Sequence, residues 1–250
     1  VGRVAIFAAL QWECRPVLQQ LRQVSRQRAG DCTFWCGSTP RAEVVLVKTG
    51  MGIVRAEAAA RAVGASGMFD LFLSTGCSGA LAAELVPGDV TVATAVVDRQ
   101  TGGGIDTHPQ QSERARRAAE RAALRVRSGR VLCSPQVLAS AADKRAAAAQ
   151  HGAVAVEMEG AAIAALAAER SIPFISVRAV LDTADTELRH AGRFLDPQTG
   201  AVKPLVLAGY LATHPSALAD LRAMQRMMRA AQTSLERFFT EWFSILDSRL

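Results

Sequence analysis

The sequence predicts an α/β protein, and three observations carry that expectation. Short apolar runs at Val4 to Leu10, Ala42 to Lys48, Asp70 to Ser74, Asp89 to Asp98 and Phe174 to Val180 read as buried strands. Ala-rich segments with apolar faces lie between them, and Ala and Leu are good helix formers. The stretch Ala153 to Asp182 compresses the pattern into one strand–helix–strand unit: a strand ending near Val156, a helix over Ala161 to Glu169, and a second strand from Phe174. With 250 residues, 50% of them hydrophobic, the chain can bury one large core. No internal repeat or low-complexity linker divides it, so it reads as a single domain over 1–250, with 214–250 a C-terminal helical extension.

Taken in order, Val4 to Leu10 is the first strand, and Pro16, comfortable at a helix start, opens a helix to about Gln27. Phe34 to Gly37 is a short strand and Ala42 to Lys48 another. Gly50 and Gly52 let the backbone turn sharply into a helix from about Val54 to Val63. The strand Asp70 to Ser74 runs into a Gly-rich loop over Thr75 to Ala80. After the strand Asp89 to Asp98 comes a polar, Gly-rich loop from Gln100 to Pro109. A helix over Ser112 to Arg127, a strand over Gly129 to Cys133 and a helix from about Ser140 to Gln150 follow. Beyond Asp182, Thr183 to Glu187 and Arg189 to His190 read as loop, Asp196 to Gly200 as a turn and Ala201 to Ala212 as a helix or an extended turn into one.

The last helix, Ser216 to Leu246, carries an apolar stripe of Leu218, Leu221, Met224, Met228, Leu235, Phe238, Trp242 and Phe243. Phe239 and Leu246 extend the stripe, and Arg222, Arg226, Arg229 and Arg237 accompany it. Packing against the sheet or a partner subunit explains such a helix. Lying in a lipid interface, drawn by anionic headgroups, explains it too.

Net charge is +6, carried by Arg, with Lys only at Lys48, Lys144 and Lys203. Such a surface suits phosphate, nucleic acid or anionic lipid. Without a recognition motif, and with few aromatics for base stacking, nucleic acid is not the expected partner. The five Cys are scattered, Cys32 and Cys36 have no second pair to join them, and the four His show no paired spacing. The expectation is no metal and reduced thiols in a cytoplasmic protein. Arg3 followed directly by a short apolar run reads as a strand rather than a signal peptide, and no apolar run reaches the roughly 20 residues of a spanning helix. The Gly-x-Gly-x-x-Gly fingerprint of nicotinamide binding is absent after the first strand.

Ligands of parallel α/β sheets gather where the strands end. Glu157, Glu159 and Asp182 stand at such ends, and Glu13 lies just past the first strand. Each also has a bland role: Glu13 and Glu159 suit helix N-termini, and Asp182 can cap a turn. Glu157 and Glu159 are two apart, so they diverge on a helix and share a side only in an extended segment. Neither can stay charged and buried without donors.

Glu157, Met158, Glu159 and Gly160, followed by Arg178, Ala179, Val180, Leu181 and Asp182, resemble the signature of the nucleoside phosphorylase and nucleosidase superfamily. Within it the chain is similar to the methylthioadenosine/S-adenosylhomocysteine nucleosidases. The resemblance implies a central, mixed, twisted sheet flanked by helices and cleavage of a purine N-glycosidic bond. It implies that Asp182 protonates the leaving base, Glu13 activates water, Glu159 holds the ribose hydroxyls, and Met158 packs on the sugar or base. Glu157, Cys77 and Gly76 join the substrate site by the same resemblance, with Val137 and Leu138 as an apolar wall against the ring. The Gly50 turn helps to shape the nucleoside site, and residues 100–109 bear on substrate choice.

The chain also departs from the pattern. Hexameric purine phosphorylases carry arginine where this chain has Ser74 and serine where it has Cys77. A phosphate site would therefore draw on Thr75, Ser78, Arg15 or the backbone near Gly50. Pro135 and Gln136 replace an aspartate-bearing purine contact of the nucleosidases. No cofactor is implied beyond inorganic phosphate as a co-substrate, and a homo-oligomer is.

The Asp196 to Val202 turn, the Val137 to Lys144 run and the Leu- and Arg-rich last helix resemble the hopanoid-biosynthesis-associated phosphorylases. That resemblance implies an adenine nucleoside with a very apolar 5′ substituent, with peripheral contact at a membrane.

Overall fold

In a computed structural model of the chain, which describes residues 2–29, 32–187 and 217–246, ten strands join one mixed sheet. The strands are β1 (Gly2–Ala8), β2 (Arg22–Ala29), β3 (Cys32–Ser38), β4 (Ala42–Lys48), β5 (Leu71–Ala80), β6 (Val90–Asp98), β7 (Gly104–Asp106), β8 (Val126–Cys133), β9 (Ala153–Glu157) and β10 (Phe174–Asp182). Six helices pack around them: α1 (Gln11–Leu18), α2 (Ile53–Ala65), α3 (Pro109–Arg121), α4 (Ala141–His151), α5 (Gly160–Glu169) and α6 (Ala217–Ile245).

The sheet order is β10-β6-β8-β9-β5-β1-β4-β3-β2, with β7 on β6. β10 also pairs with β5, in parallel, so β5, β10, β6, β8 and β9 close into a ring. β1, β4, β3 and β2 continue outward from β5. β1, β5 and β10 run parallel and end on the same side, where the candidate carboxylates lie.

Alternation along β1 divides the core. Val4, Ile6 and Ala8 face the layer of α1, α3 and α6, while Ala5 and Phe7 face α2 and α5. Both faces are covered, which is why β1 reads as an unbroken apolar run.

Helix α6 belongs to this core. Leu235, Phe238, Phe239 and Trp242 are fully buried and Phe243 and Leu246 nearly so, packed against α1, α3 and β10. Ser234 Oγ donates to the Gly88 carbonyl at 2.6 Å, and Arg237 donates to the Ala122 carbonyl. The expectation that this aromatic stripe meets lipid is therefore corrected: the stripe is spent on the protein interior. Met224 and Met228 are half-buried, and Leu218 and Leu221 fall outside the described side chains.

Several element boundaries differ from the sequence reading, and the loop expected over Gln100 to Pro109 contains strand β7. The helix expected from Pro16 to Gln27 is only Gln11–Leu18, with Pro16 inside it, and residues 22–29 form edge strand β2. Their polar sequence gives no strand signal; pairing with β3 supplies it, with Arg26 over the Trp35 ring at 5.7 Å. The helix expected to reach Arg127 stops at Arg121, where Ala123 adopts φ 52°, and the Arg-rich segment after it becomes β8 between β6 and β9. The loop expected over Thr75 to Ala80 is instead the second half of β5. Arg189 to His190, Asp196 to Val202 and Ala201 to Ala212 lie outside the described residues.

Candidate active site

One pocket collects most of the candidate residues. It is a cavity of about 210 Å³, well beyond the space of an ordinary buried water. Each wall comes from the end of a strand or the segment after it: Leu10, Trp12 and Glu13 after β1, Met51 after β4, Cys77 to Gly79 on β5, Gln136 to Leu138 after β8, Val156 to Glu159 at β9, and Leu181 and Asp182 on β10. Lys144 of α4 and Met224 of α6 complete it.

Glu13 sits in the first turn of α1 and is 4% exposed. Its Oε2 accepts the Leu10 N–H at 2.9 Å, fixing its own helix start. Its Oε1 accepts the Cys77 N–H at 2.8 Å, tying α1 to β5. Burial pushes this carboxyl above its ordinary range, although the two amides and the Arg178 guanidinium pull the other way.

Glu157 and Glu159 divide their labour. Glu157 Oε2 accepts from Arg178 Nη2 at 2.5 Å and from the Glu159 N–H at 3.0 Å, and both of its oxygens accept from the Gly160 N–H. It closes the N-terminus of α5 and has its donors inside the protein. It lines the pocket, and the hydrogen bonds it makes within the protein hold the start of α5.

Glu159 is the N-cap residue of α5, and its Oε1 accepts the Gly52 N–H at 2.8 Å. Its Oε2 has no protein donor among the described residues. Burial, reinforced by the Glu157 charge, pushes the Glu159 carboxyl up to about 8.

Arg178 is the hub of this charge cluster. It is 1% exposed and donates to Thr75 O at 2.9 Å and to Ser74 Oγ and Glu157 Oε2, each at 2.5 Å. Burial works against its charge, and Glu157, Glu159 and Glu13 more than offset that. Gly76, expected at the ribose, does not line the pocket. It adopts φ 134°, and a Cβ there would stand 2.7 Å from Glu13 Oε1 and 3.0 Å from Arg178 Nη1. Its place is behind the two charged groups.

Asp182 ends β10 and is 4% exposed. Its Oδ2 accepts from Lys144 Nζ, a residue the sequence reading did not place in a site. Burial raises the Asp182 carboxyl, the Lys144 ammonium lowers it, and burial prevails. Met158, Val137, Leu138 and Cys77 line the pocket as expected, and burial pushes the Cys77 thiol well up, away from thiolate.

The four phosphate candidates are not brought together. Ser78 lines the pocket, with its Oγ buried and lacking a partner among the described residues. Thr75 is fully buried outside it, Arg15 is exposed, and Gly50 lies beyond the lining. Among the described residues the only cationic side chain in the lining is Lys144, already paired with Asp182. Residues 100–109 do not reach the pocket either; β7 pairs on the far edge of β6. Lys144, Met224, Trp12 and Met51 were missed as site residues. Only the rarity of Lys in an Arg-rich chain hinted at the first.

Buried carboxyls at strand ends gather in one largely apolar pocket, and comparison with known proteins gives that arrangement its class, an enzyme that cleaves nucleosides. A family profile described as the phosphorylase superfamily matches residues 3–203. The chain belongs to that superfamily. It is 27% identical over 201 residues to the 5′-methylthioadenosine/S-adenosylhomocysteine nucleosidase of Anoxybacillus flavithermus, covering 74% of this chain and 87% of that one. The Neisseria meningitidis nucleosidase of the same name, in complex with methylthio-immucillin-A, shares the fold with a TM-score of 0.77 at 22% identity, over 97% of this chain and 98% of that one. Futalosine hydrolase of Helicobacter pylori does so with a TM-score of 0.77 at 18% identity, over 98% of each chain.

Proposed function

We propose that this protein cleaves the N-glycosidic bond of a 5′-substituted adenine nucleoside with water as acceptor. The observation that carries the reading is the meeting of Glu13, Glu159 and Asp182 in one largely apolar pocket. Bond breaking leaves oxocarbenium-like charge on the ribose. Asp182 gives its proton to N7 of the leaving adenine, and burial shifts its carboxyl toward the protonated form. Glu159 accepts hydrogen bonds from the ribose hydroxyls, which tighten as charge develops. Glu13 takes a proton from the attacking water, whose oxygen bonds to C1′ as the bond to N9 breaks; burial raises its carboxyl, which strengthens it as a base. Met158 packs on the sugar and Val137 and Leu138 on the ring.

Water is preferred to phosphate because the expected phosphate ligands do not converge, and the only cation in the lining among the described residues is already paired with Asp182. For the 5′ substituent we favour an apolar group of the adenosylhopane kind, supported by Leu10, Met51, Leu181 and Met224 in the lining. A second reading, methylthioadenosine and S-adenosylhomocysteine, is favoured by the Anoxybacillus relative. With the aromatic stripe of α6 turned inward, delivery of a lipid-tailed nucleoside falls to the exposed Arg222, Arg226 and Arg229, which attract anionic headgroups. No helix among the described residues is long and apolar enough to cross a membrane. Self-association, implied by the family resemblance, is checked by light scattering.

Purified protein incubated with methylthioadenosine, S-adenosylhomocysteine and long-chain 5′-alkyl adenosines, with and without phosphate, decides the matter by free adenine. Release without phosphate, fastest for the long-chain substrate, is the expected result. No adenine from any of them would sink the proposal, and a ribose-1-phosphate product would replace hydrolysis by phosphorolysis.

A further inference from the structure

Lys144 is a buried lysine in an Ala-rich helix that otherwise packs small side chains. It is 1% exposed, and an unpaired ammonium there would be costly. Its three protons find three acceptors: Asp182 Oδ2, the Thr183 carbonyl at 2.7 Å and the Thr186 carbonyl at 3.1 Å. All three acceptors belong to the end of β10 and the turn that follows. That turn is closed on itself by the Thr183 N–H donating to Thr186 Oγ1 at 3.1 Å. One ammonium therefore pins both the carboxyl and the backbone that carries it.

We infer that Lys144 is a positioning residue: it holds Asp182 by Oδ2, leaves Oδ1 to carry the transferable proton, and takes up the carboxylate charge when that proton leaves. The inference rests on the proposed nucleosidase reading and deepens it. An oxygen already accepting from an ammonium is a poor site for a proton, so the acid proton rests on the other oxygen. On transfer, the O–H electron pair stays with Asp182, the proton bonds to N7, and Lys144 keeps its three protons. The ammonium then faces a full carboxylate rather than a neutral acid. This contact is stronger after transfer than before, which is what lowers a barrier. Burial shifts Asp182 toward the protonated form, and Lys144 opposes that shift, which eases release of the proton.

Other charged and titratable groups near the pair have their own positions. On α4, Asp143 bonds Ser140 and Arg145 pairs with the exposed Asp185. Glu187 accepts the Ala141 N–H at 3.1 Å. Cys77 on β5, and Glu13, Glu157 and Glu159 across the pocket, complete the set. None of these replaces the ammonium at Oδ2.

The test reads the Asp182 carboxyl itself. Carbon-13 NMR of the full chain labelled at aspartate Cγ is followed against pH, with Asp182 assigned as the signal lost in Asp182→Asn. In Lys144→Met and Lys144→Gln the midpoint should rise by about one pH unit or more, because the lowering charge is gone. Lys144→Arg should restore most of the wild-type midpoint. With a substrate that releases adenine, kcat should fall about 10–100-fold with KM nearly unchanged, and the alkaline limb of kcat should move up with the midpoint. A lysine that merely fills space would alter stability and leave both the midpoint and the limb in place, and that result overturns the inference. Gln, which keeps a donor, carries the test should Met fail to fold. A wild type that releases no adenine overturns the nucleosidase reading alone, since the carboxyl midpoint still decides whether Lys144 governs Asp182.

Discussion

Arg178 and Glu157 meet at 2.5 Å in the protein interior, with neither side chain more than 1% exposed. The pair reaches across β5, from β10 on one side to the end of β9 on the other, and it holds the start of α5. Removing one partner of such a pair leaves the other charged and unpaired. Arg178→Met should therefore cost about 3–5 kcal/mol of unfolding free energy, read by urea denaturation. The double variant Arg178→Met, Glu157→Leu should lose much less than the sum of the two single losses. Additive losses would show that the two side chains do not depend on each other.

Asp182→Asn should lower turnover about 10²–10⁴-fold while leaving the affinity for an unreactive adenine nucleoside within a few-fold. The amide keeps the shape and loses the proton. Turnover near the wild-type rate would remove Asp182 from the chemistry.

Glu159 makes stability depend on pH. Its folded-state pKa lies near 8 against an ordinary 4.5, so the folded protein holds a proton that the unfolded chain releases. The resulting stability is fully present below about 4.5, declines as pH rises, and is lost once pH passes about 8, by at most about 1.4 kcal/mol per pH unit. Glu13 and Asp182 act in the same direction. Denaturation midpoints of the ligand-free protein should fall across this window, and Glu159→Gln should flatten the slope. An unchanged slope in the variant would assign the effect to other groups.

Ligand affinity should run the opposite way. Ribose hydroxyls donate, and an ionised Glu159 accepts better than a neutral one. Calorimetric affinity for a nucleoside analogue should rise with pH up to about 8 in the wild type and stay level in Glu159→Gln. Equal profiles would reject the ribose role.

Trp242→Ala should destabilise by about 3–5 kcal/mol, because the side chain is fully buried among Phe238, Phe239 and Phe243. Denaturant midpoints check this. A near-neutral effect would place the stripe at a surface after all.

Much of the fold could be read locally. β4 matches its expected span, and α2, α4, α5 and β10 lie within a few residues of theirs, because burial on both sheet faces writes long apolar runs. β2 could not be read: Arg22, Ser25, Arg26 and Arg28 are polar, and only β3 makes them a strand. The carboxyls at the pocket were legible as acids at strand ends. Lys144 and Met224 were not, because each stands far along the chain from what it touches.

Gly76 has a consequence for how this chain can vary. Its φ of 134° suits glycine, and the space a Cβ would need is held by the carboxyl of Glu13 and the guanidinium of Arg178. Alanine there would strain the strand and push two buried charges from their partners in the same step. In a library carrying every residue at position 76, selection for folding alone and selection for adenine release should return the same single survivor. Neighbouring pocket positions such as Val137, which is 52% exposed, should return different sets under the two selections.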